Sequence, residues 1–399
     1  MKRSSYILLT ISLLLSLFAA QNLSSVHGET NDTLYTIRSS TTYVNPAGGS
    51  RIWNFSQEDR SIGLFMNDSW QNVELKSATY ALEPVHVDED GNRIGVLKLP
   101  ISQLLPGENL SVTVEYSILT KPRMIANISE SESGLLEEIP HDLIQSYTSA
   151  EGPWVTSNLT LVDLAHDIAG NETNVLKIVA RTIDWIKKNI IYAMGQELPM
   201  YANQTLNSRA GDCDDQAILL TTLLRIIGIP SYVQIGAIYT PQTAELSESI
   251  WQDHVQFVQM RIGWHGWAVV YVPPWGWLPV DLTYVFADFE DPLDAIKYGA
   301  VTRQNTVQYM NISRVDYVAD SYEARSFLLD NGFFLHYEDE MAAESLNDGS
   351  GGFNPIATAV FVVVIVVIVL PMGVVIWRRR RKQAEMEKPV STESAAKKA

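Results

Sequence analysis

Cys213 is the one cysteine in the chain, and it stands in Gly211-Asp212-Cys213-Asp214-Asp215, directly ahead of an apolar run with helical spacing. Downstream come His265, in Trp264-His265-Gly266-Trp267, and Asp281, in Val280-Asp281-Leu282-Thr283. A thiol, an imidazole and a carboxylate in that order are the parts of a nucleophile, its base and the group that orients the base. A helix starting at Asp212 or Cys213 would set the sulfur at the N-terminus, where unpaired N–H groups and the helix dipole favour thiolate. Asp214 and Asp215 oppose that only if they face the sulfur, and successive helical residues point to different sides. A free cysteine is also a common buried, inert core residue, and the downstream His and Asp are what weigh against that reading. His254, after Asp253 in an alternating segment, is the rival base; His265 sits in the better motif.

The elements that must position these groups are readable from periodicity. Val162, Leu164, Ala165 and Ile168 predict one helix, and Val175, Ile178, Val179, Ile183, Trp185 and Ile186 a longer one ending near Lys187-Lys188. After Cys213, the spacing of Ala217, Leu220, Leu223, Leu224 and Ile227 predicts a third, closed by Gly228 and Pro230. Residues 231–239, 255–262, 268–272 and 277–281 are β-rich, so helices precede antiparallel strands, an α+β arrangement. From about residue 32 to 153 the pattern is strand-like throughout, with a hairpin around Asp88-Glu89-Asp90-Gly91-Asn92 and alternation at Leu110, Val112, Val114 and Tyr116. An antiparallel β-sandwich over residues 29–153 is the expectation. The Asp88, Asp90 and Asn92 spacing resembles part of a calcium loop, but its downstream glutamate is missing, and a plain turn is expected. Residues 301–352 read as an extension and linker ending in Gly349-Ser350-Gly351-Gly352.

Both ends speak of export. Lys2 and Arg3 precede an apolar run to Phe18 and then Ala19-Ala20, the anatomy of a signal peptide over residues 1–28. Residues 356–377 are uncharged and rich in Val and Ile, and Arg378 to Lys382 follow at once. A single transmembrane helix with a cytoplasmic tail over 378–399 and the bulk outside the cell is predicted. The chain carries a net −17; the tail, with 8 basic and 3 acidic residues, and Lys2 with Arg3 are both positive, which leaves −24 for the rest. So acidic a surface excludes nucleic acid as a partner. Ten Asn-x-Ser/Thr sequons, at Asn22, Asn31, Asn54, Asn67, Asn109, Asn127, Asn158, Asn171, Asn203 and Asn311, all precede the transmembrane run, so most of these asparagines are expected in exposed turns of a glycosylated surface. One cysteine and scattered histidines predict no metal site, and nothing calls for a cofactor.

Three blocks together resemble the transglutaminase-like superfamily. Leu206-Asn207-Ser208-Arg209-Ala210-Gly211-Asp212-Cys213, with Gly228-Ile229-Pro230 behind it, resembles the cysteine block; His265-Gly266-Trp267-Ala268-Val269-Val270-Tyr271 the histidine block; and Trp275-Gly276-Trp277-Leu278-Pro279-Val280-Asp281-Leu282-Thr283 the aspartate block. The resemblance covers about residues 158–294. It departs from the family at Leu282, where Pro is frequent, and at Gly266, where Ala is frequent. It implies a papain-like α+β core at residues 154–300, with Cys213 as nucleophile, His265 as general base and acid, and Asp281 as orienter. It implies acyl transfer from a protein or peptide amide through a thioester. Water as acceptor gives a protease or amidase, the expected outcome because water is always present; an amine acceptor gives a transglutaminase. A non-catalytic surface binding module on the same fold is the third possibility, and a dimeric adhesin joined through a Cys213 disulfide a fourth. Trp251, Trp264, Trp267, Trp275 and Trp277 would either line an acyl-donor tunnel or serve as core and turn aromatics.

Overall fold

The apolar periodicity between residues 158 and 230 becomes helices α1 (Leu159–Ala169), α2 (Val175–Asn189), a short α3 (Ala202–Ser208) and α4 (Cys213–Ile227). Asn158 and Asn174 cap α1 and α2, each side chain accepting a backbone N–H three residues on. Lys187 and Lys188 lie in the last turn of α2, as its spacing predicts. α4 is buried on all sides, down to Asp215, Gln216, Thr221, Thr222 and Arg225, which makes it the central helix of the protein. Gly228, at φ +90°, stops it, and the Ile229 N–H turns back to the Leu224 carbonyl.

This computed structural model describes residues 32–125, 127–193, 197–284, 289–303 and 305–345. The expected signal peptide, transmembrane helix and tail lie outside the described residues, among which no helix is long and apolar enough to cross a membrane. β1 (Thr33–Val44), β2 (Gln71–Ala78) and β3 (Asn109–Thr120) come from the N-terminal part; β4 (Ser231–Tyr239), β5 (Leu246–Ile250), β6 (Val255–Met260), β7 (Ile262–Val272) and β8 (Gly276–Val280) follow the helices; β9 (Thr306–Ile312) and β10 (Phe334–Ser345) come last. A four-stranded antiparallel sheet in the order β8-β7-β4-β9 packs on α4, and their shared apolar residues make the largest core. A six-stranded sheet runs β5-β6-β10-β1-β3-β2.

That second sheet differs from the sandwich expected over residues 29–153. β1 pairs on one side with β3 and on the other with β10, from the segment expected to be an extension. β6, from the segment expected to be catalytic, pairs in parallel with β10. Alternation marks each strand but is silent on its partner, and here partners come from both ends of the chain. Residues 30–347 accordingly form one compact unit across the expected boundaries at 153 and 300. The expected strand over 255–262 is likewise two: Arg261 takes φ +57°, and the chain leaves the six-stranded sheet as β6 and enters the four-stranded one as β7.

The N-terminal part closes the free edge of the smaller sheet with side chains. The Gln71 amide donates to the Gln308 carbonyl at 2.7 Å and accepts the Gln308 N–H at 2.8 Å; Asn92 does the same to Asn311, at 2.8 and 2.7 Å. Asp90 accepts the N–H groups of Ser313, Arg314 and Val315. The loop expected to be a turn rather than a calcium site is therefore a turn, its carboxylates spent on backbone N–H groups. Two amides in ladder geometry satisfy an edge that would otherwise pair with another chain. Of the sequons, Asn54, Asn67, Asn109, Asn127 and Asn171 are exposed. Asn158 is a helix cap, Asn203 lies inside α3 with its Oδ1 buried, and Asn311 lies in β9 bonded to Gln234, so these three depart from the expected exposed turns.

Arg225 ties these layers together. Its guanidinium, 2% exposed, donates to the carbonyls of Ser231 and Ser149 and to the Ser313 hydroxyl, and lies 4.2 Å from the Trp154 ring centroid. Arg225→Leu leaves three buried acceptors unpaired and is expected to cost about 3 kcal/mol of stability, read as a lower midpoint of urea unfolding.

Candidate active site

Cys213 is the first residue of α4, so the sulfur sits at the N-terminus of the central helix, part-exposed. The approach to it is held from the side: Ala210–Gly211 pairs in parallel with Ile191–Tyr192. Gly211 is required there, since a Cβ would lie 2.7 Å from the Asp215 Cβ. His265 stands in β7 opposite Gly236 of β4. β7 and β8 form a hairpin in which Ala268 faces Val280, and one step further along that register sets Asp281 across from Trp267, on the face His265 shares.

Asp281 therefore reaches its imidazole diagonally. His265 Nε2 lies 3.0 Å from Asp281 Oδ1 and 3.1 Å from Oδ2, and Cys213 is near enough to the ring to favour its charged form. Asp281 is fully buried and also accepts the N–H groups of Thr283 and Tyr284 on Oδ1 and of Ala300 on Oδ2. Gly299 makes room for this, because a Cβ there would be 2.8 Å from the Asp281 Cβ. Burial opposes the charged form of both groups. For His265 the Asp281 charge and hydrogen bond, followed by Cys213, outweigh burial and push its pKa up to about 10. For Asp281 burial is outweighed by the imidazolium and by the N–H donors, and its pKa is lowered. The pair is charged at neutral pH.

Two of the acidic residues beside Cys213, Asp215 and Asp214, are held by partners other than the sulfur. Asp215, fully buried, accepts the Met200 N–H at 2.7 Å and the Asp212 N–H at 3.3 Å. Asp214 accepts the Tyr317 hydroxyl at 2.6 Å. Burial and then Asp214 raise the Asp212 pKa. Asp212, Cys213 and Asp214 place ligand atoms within 4.8 Å of one another, a grouping the sequence reading passed over. Asp214 is already engaged by the Tyr317 hydroxyl, which makes this grouping a poor cation cage.

Gly266 explains its departure from the family pattern: a Cβ there would meet Asp214 Cβ at 3.2 Å and Ile235 Cδ1 at 3.1 Å, so glycine lets α4 begin close against β7. His254, the rival base, is structural; its Nδ1 bonds the Phe333 carbonyl at 2.7 Å and its ring stacks on Phe334. Of the five tryptophans only Trp267 contacts His265, at 5.9 Å between centroids. Trp251 and Trp264 bond Glu197 and Asp339, and Trp277 packs among Tyr147, Tyr232 and Tyr271. Core and spacer roles suit these three better than a tunnel. Tyr317, Gly299 and Ala300 belong to the site's frame and were missed. Only the backbone of the last serves, and none carries a motif.

Residues 162–282 match the Transglutaminase-like superfamily. Among solved structures the chain is similar to a candidate cysteine protease from Cytophaga hutchinsonii, at 17% identity over 82% of this chain and 94% of that one, with a TM-score of 0.49. It is also similar to the periplasmic domain of TgpA from Pseudomonas aeruginosa, at 15% identity over 68% and 98%, with a TM-score of 0.31. No curated protein matches the chain. Structural scores this low carry no argument about activity, and the family match stands without them.

The charged pair sets a pH dependence. His265, raised from 6.5 to about 10, adds stability that is fully present below about pH 6.5 and lost as pH rises through about 10. Asp281, lowered, adds stability present above 3.8 and lost as pH falls through its folded value. Asp281→Asn should abolish the upward shift, which NMR titration of the His265 ring reads directly, and should flatten the loss of stability between those two alkaline limits.

Proposed function

Residues 162–282 form a transglutaminase-like core, and we propose that it is an outward-facing, membrane-anchored cysteine acyl-transfer enzyme that hydrolyses protein or peptide amides. The observation that carries the reading is that Cys213, His265 and Asp281 come together in space: a sulfur at a helix N-terminus, near an imidazole that is hydrogen-bonded to a buried carboxylate. In this proposal Cys213 carries the nucleophilic sulfur, His265 moves the proton and Asp281 orients the ring. Outward placement rests on the signal-like N-terminus and the uncharged run at 356–377 followed by five cations.

The Cys213 thiolate attacks the amide carbon, and the carbonyl oxygen takes up negative charge. The Cys213 backbone N–H, unpaired at the first turn of α4, is the natural donor to it. His265, protonated, gives its proton to the leaving amine as the C–N bond breaks, leaving a thioester on Cys213. Water enters, His265 takes its proton, the carboxylic acid leaves, and the thiolate is restored. Asp281 keeps the ring oriented through Nε2 and never gives up its own charge. An amine in place of water would complete the same cycle as a transamidation.

Alkylation of Cys213 by iodoacetamide tests the thiolate. It should be fast near pH 6 and fall by about a hundredfold in His265→Ala, where the thiol has lost its cation. Slow alkylation indifferent to His265 and Asp281 would sink the enzyme reading and leave a binding module. Mass spectrometry of a peptide mixture incubated with and without a primary amine then separates the acceptors. Free carboxylates in both cases mean hydrolysis, amine adducts mean transamidation, and Cys213→Ala should give neither.

A further inference from the structure

Helix α5 (Tyr317–Asn331) is held at its two ends and not in its middle. Val318 and Leu328 are its only fully buried residues. Val318 packs into the core around α4, and Leu328 into the cluster around Trp53 and Phe333. Between those anchors Asp320, Glu323, Ala324 and Phe327 overlie a cavity of about 950 Å³ whose floor is the six-stranded sheet. The inward face of β1 changes character beneath it. Tyr35 and Ile37 belong to the core, but Ser39 and Thr41, next on the same face, line the cavity, and Asp339 of β10 sits directly opposite Ser39. A sheet face that would ordinarily be filled by apolar side chains is polar where the helix bridges it.

We propose that this cavity is a binding site for an organic ammonium ion, a primary amine carried on an apolar body. Among the described residues five carboxylates line it, Glu58, Asp59, Asp320, Glu323 and Asp339, and no lysine or arginine does; Asp59 already accepts the Trp53 indole N–H and the Ser56 N–H. Among the described residues none of the five forms an ion pair. Asp339, 9% exposed, accepts the Trp264 indole N–H at 2.9 Å, which fixes one oxygen and aims the carboxylate. Phe257, Tyr309, Phe327 and Tyr337 supply ring surface to the walls, with Trp53, Phe65 and Tyr116 buried behind them. Ring faces and carboxylates both attract cations, and an aromatic wall also takes up a hydrocarbon body. An anion would meet five like charges, and a neutral sugar would leave them without a counter-charge. The site is independent of the chemistry at Cys213, whose residues do not line it.

Fluorescence titration of the full chain with dansylated cadaverine, in the Cys213→Ala background so that no covalent step intervenes, tests the proposal. The terminal ammonium should bind about tenfold more tightly than the same molecule acetylated at that nitrogen. Glu323→Gln, at an exposed helical position where folding is untouched, and Asp339→Asn should each remove most of that preference. Equal binding of the charged and acetylated probes overturns the proposal. Preference retained in both variants, or a neutral disaccharide bound as tightly as the amine, overturns it as well.

Discussion

A charged imidazole–carboxylate pair is buried between the sheet hairpin and the chain beyond it, and the rest of the architecture answers to that cost. Isolating Asp281 from water would neutralise it unless its lone pairs were otherwise filled. They are filled by His265 and by three backbone N–H groups, one of which, Ala300, comes from a loop that Gly299 alone allows to approach. The His265 charge is matched in turn by Asp281 on one nitrogen, with Cys213 near the ring. The hairpin register, the glycines at 211, 266 and 299 and the helix start are one solution to one electrostatic problem.

The same logic governs the acidic residues at the head of α4. Three carboxyl groups surround Cys213, and two are held by hydrogen bonds, Asp215 by backbone N–H groups and Asp214 by Tyr317, while burial raises the pKa of Asp212. A cluster that looks hostile to a thiolate in the sequence is largely spent on fixing where the helix begins. Asp214 does so through a tyrosine from α5, which ties the position of Cys213 to an element a hundred residues downstream.

The residues with rare chemistry were the legible ones. Cys213, His265 and Asp281 stand in short local patterns, and the β7–β8 hairpin then brings the last two together. The helices α1, α2 and α4 were legible because their apolar residues recur at helical spacing. What escaped was whatever depends on partners distant in the chain. Alternation announced β1, β3 and their neighbours, but a sandwich was inferred from strands that in fact pair with β6 and β10. Arg261 at positive φ, where the chain changes sheets, carries no residue preference that would announce it. Gln71 and Asn92 serve as strand mimics through ordinary amides, and the Ala300 N–H is contributed by a residue whose side chain is irrelevant.

β10 is the last strand in the described chain and lies inside the six-stranded sheet, bonded along one edge to β1, the first strand, and along the other to β6. A sheet whose interior strand arrives last cannot close progressively from the N-terminus. Until residue 345 is available, β1 and β6 present unsatisfied edges to each other across a gap one strand wide. Folding therefore has a checkpoint built into its topology: an incomplete chain can assemble the helices but lacks the piece that joins the two halves of the large sheet. A polypeptide that emerges gradually from its N-terminus would remain unlocked until residue 345 and acquire its final shape in one late, long-range step.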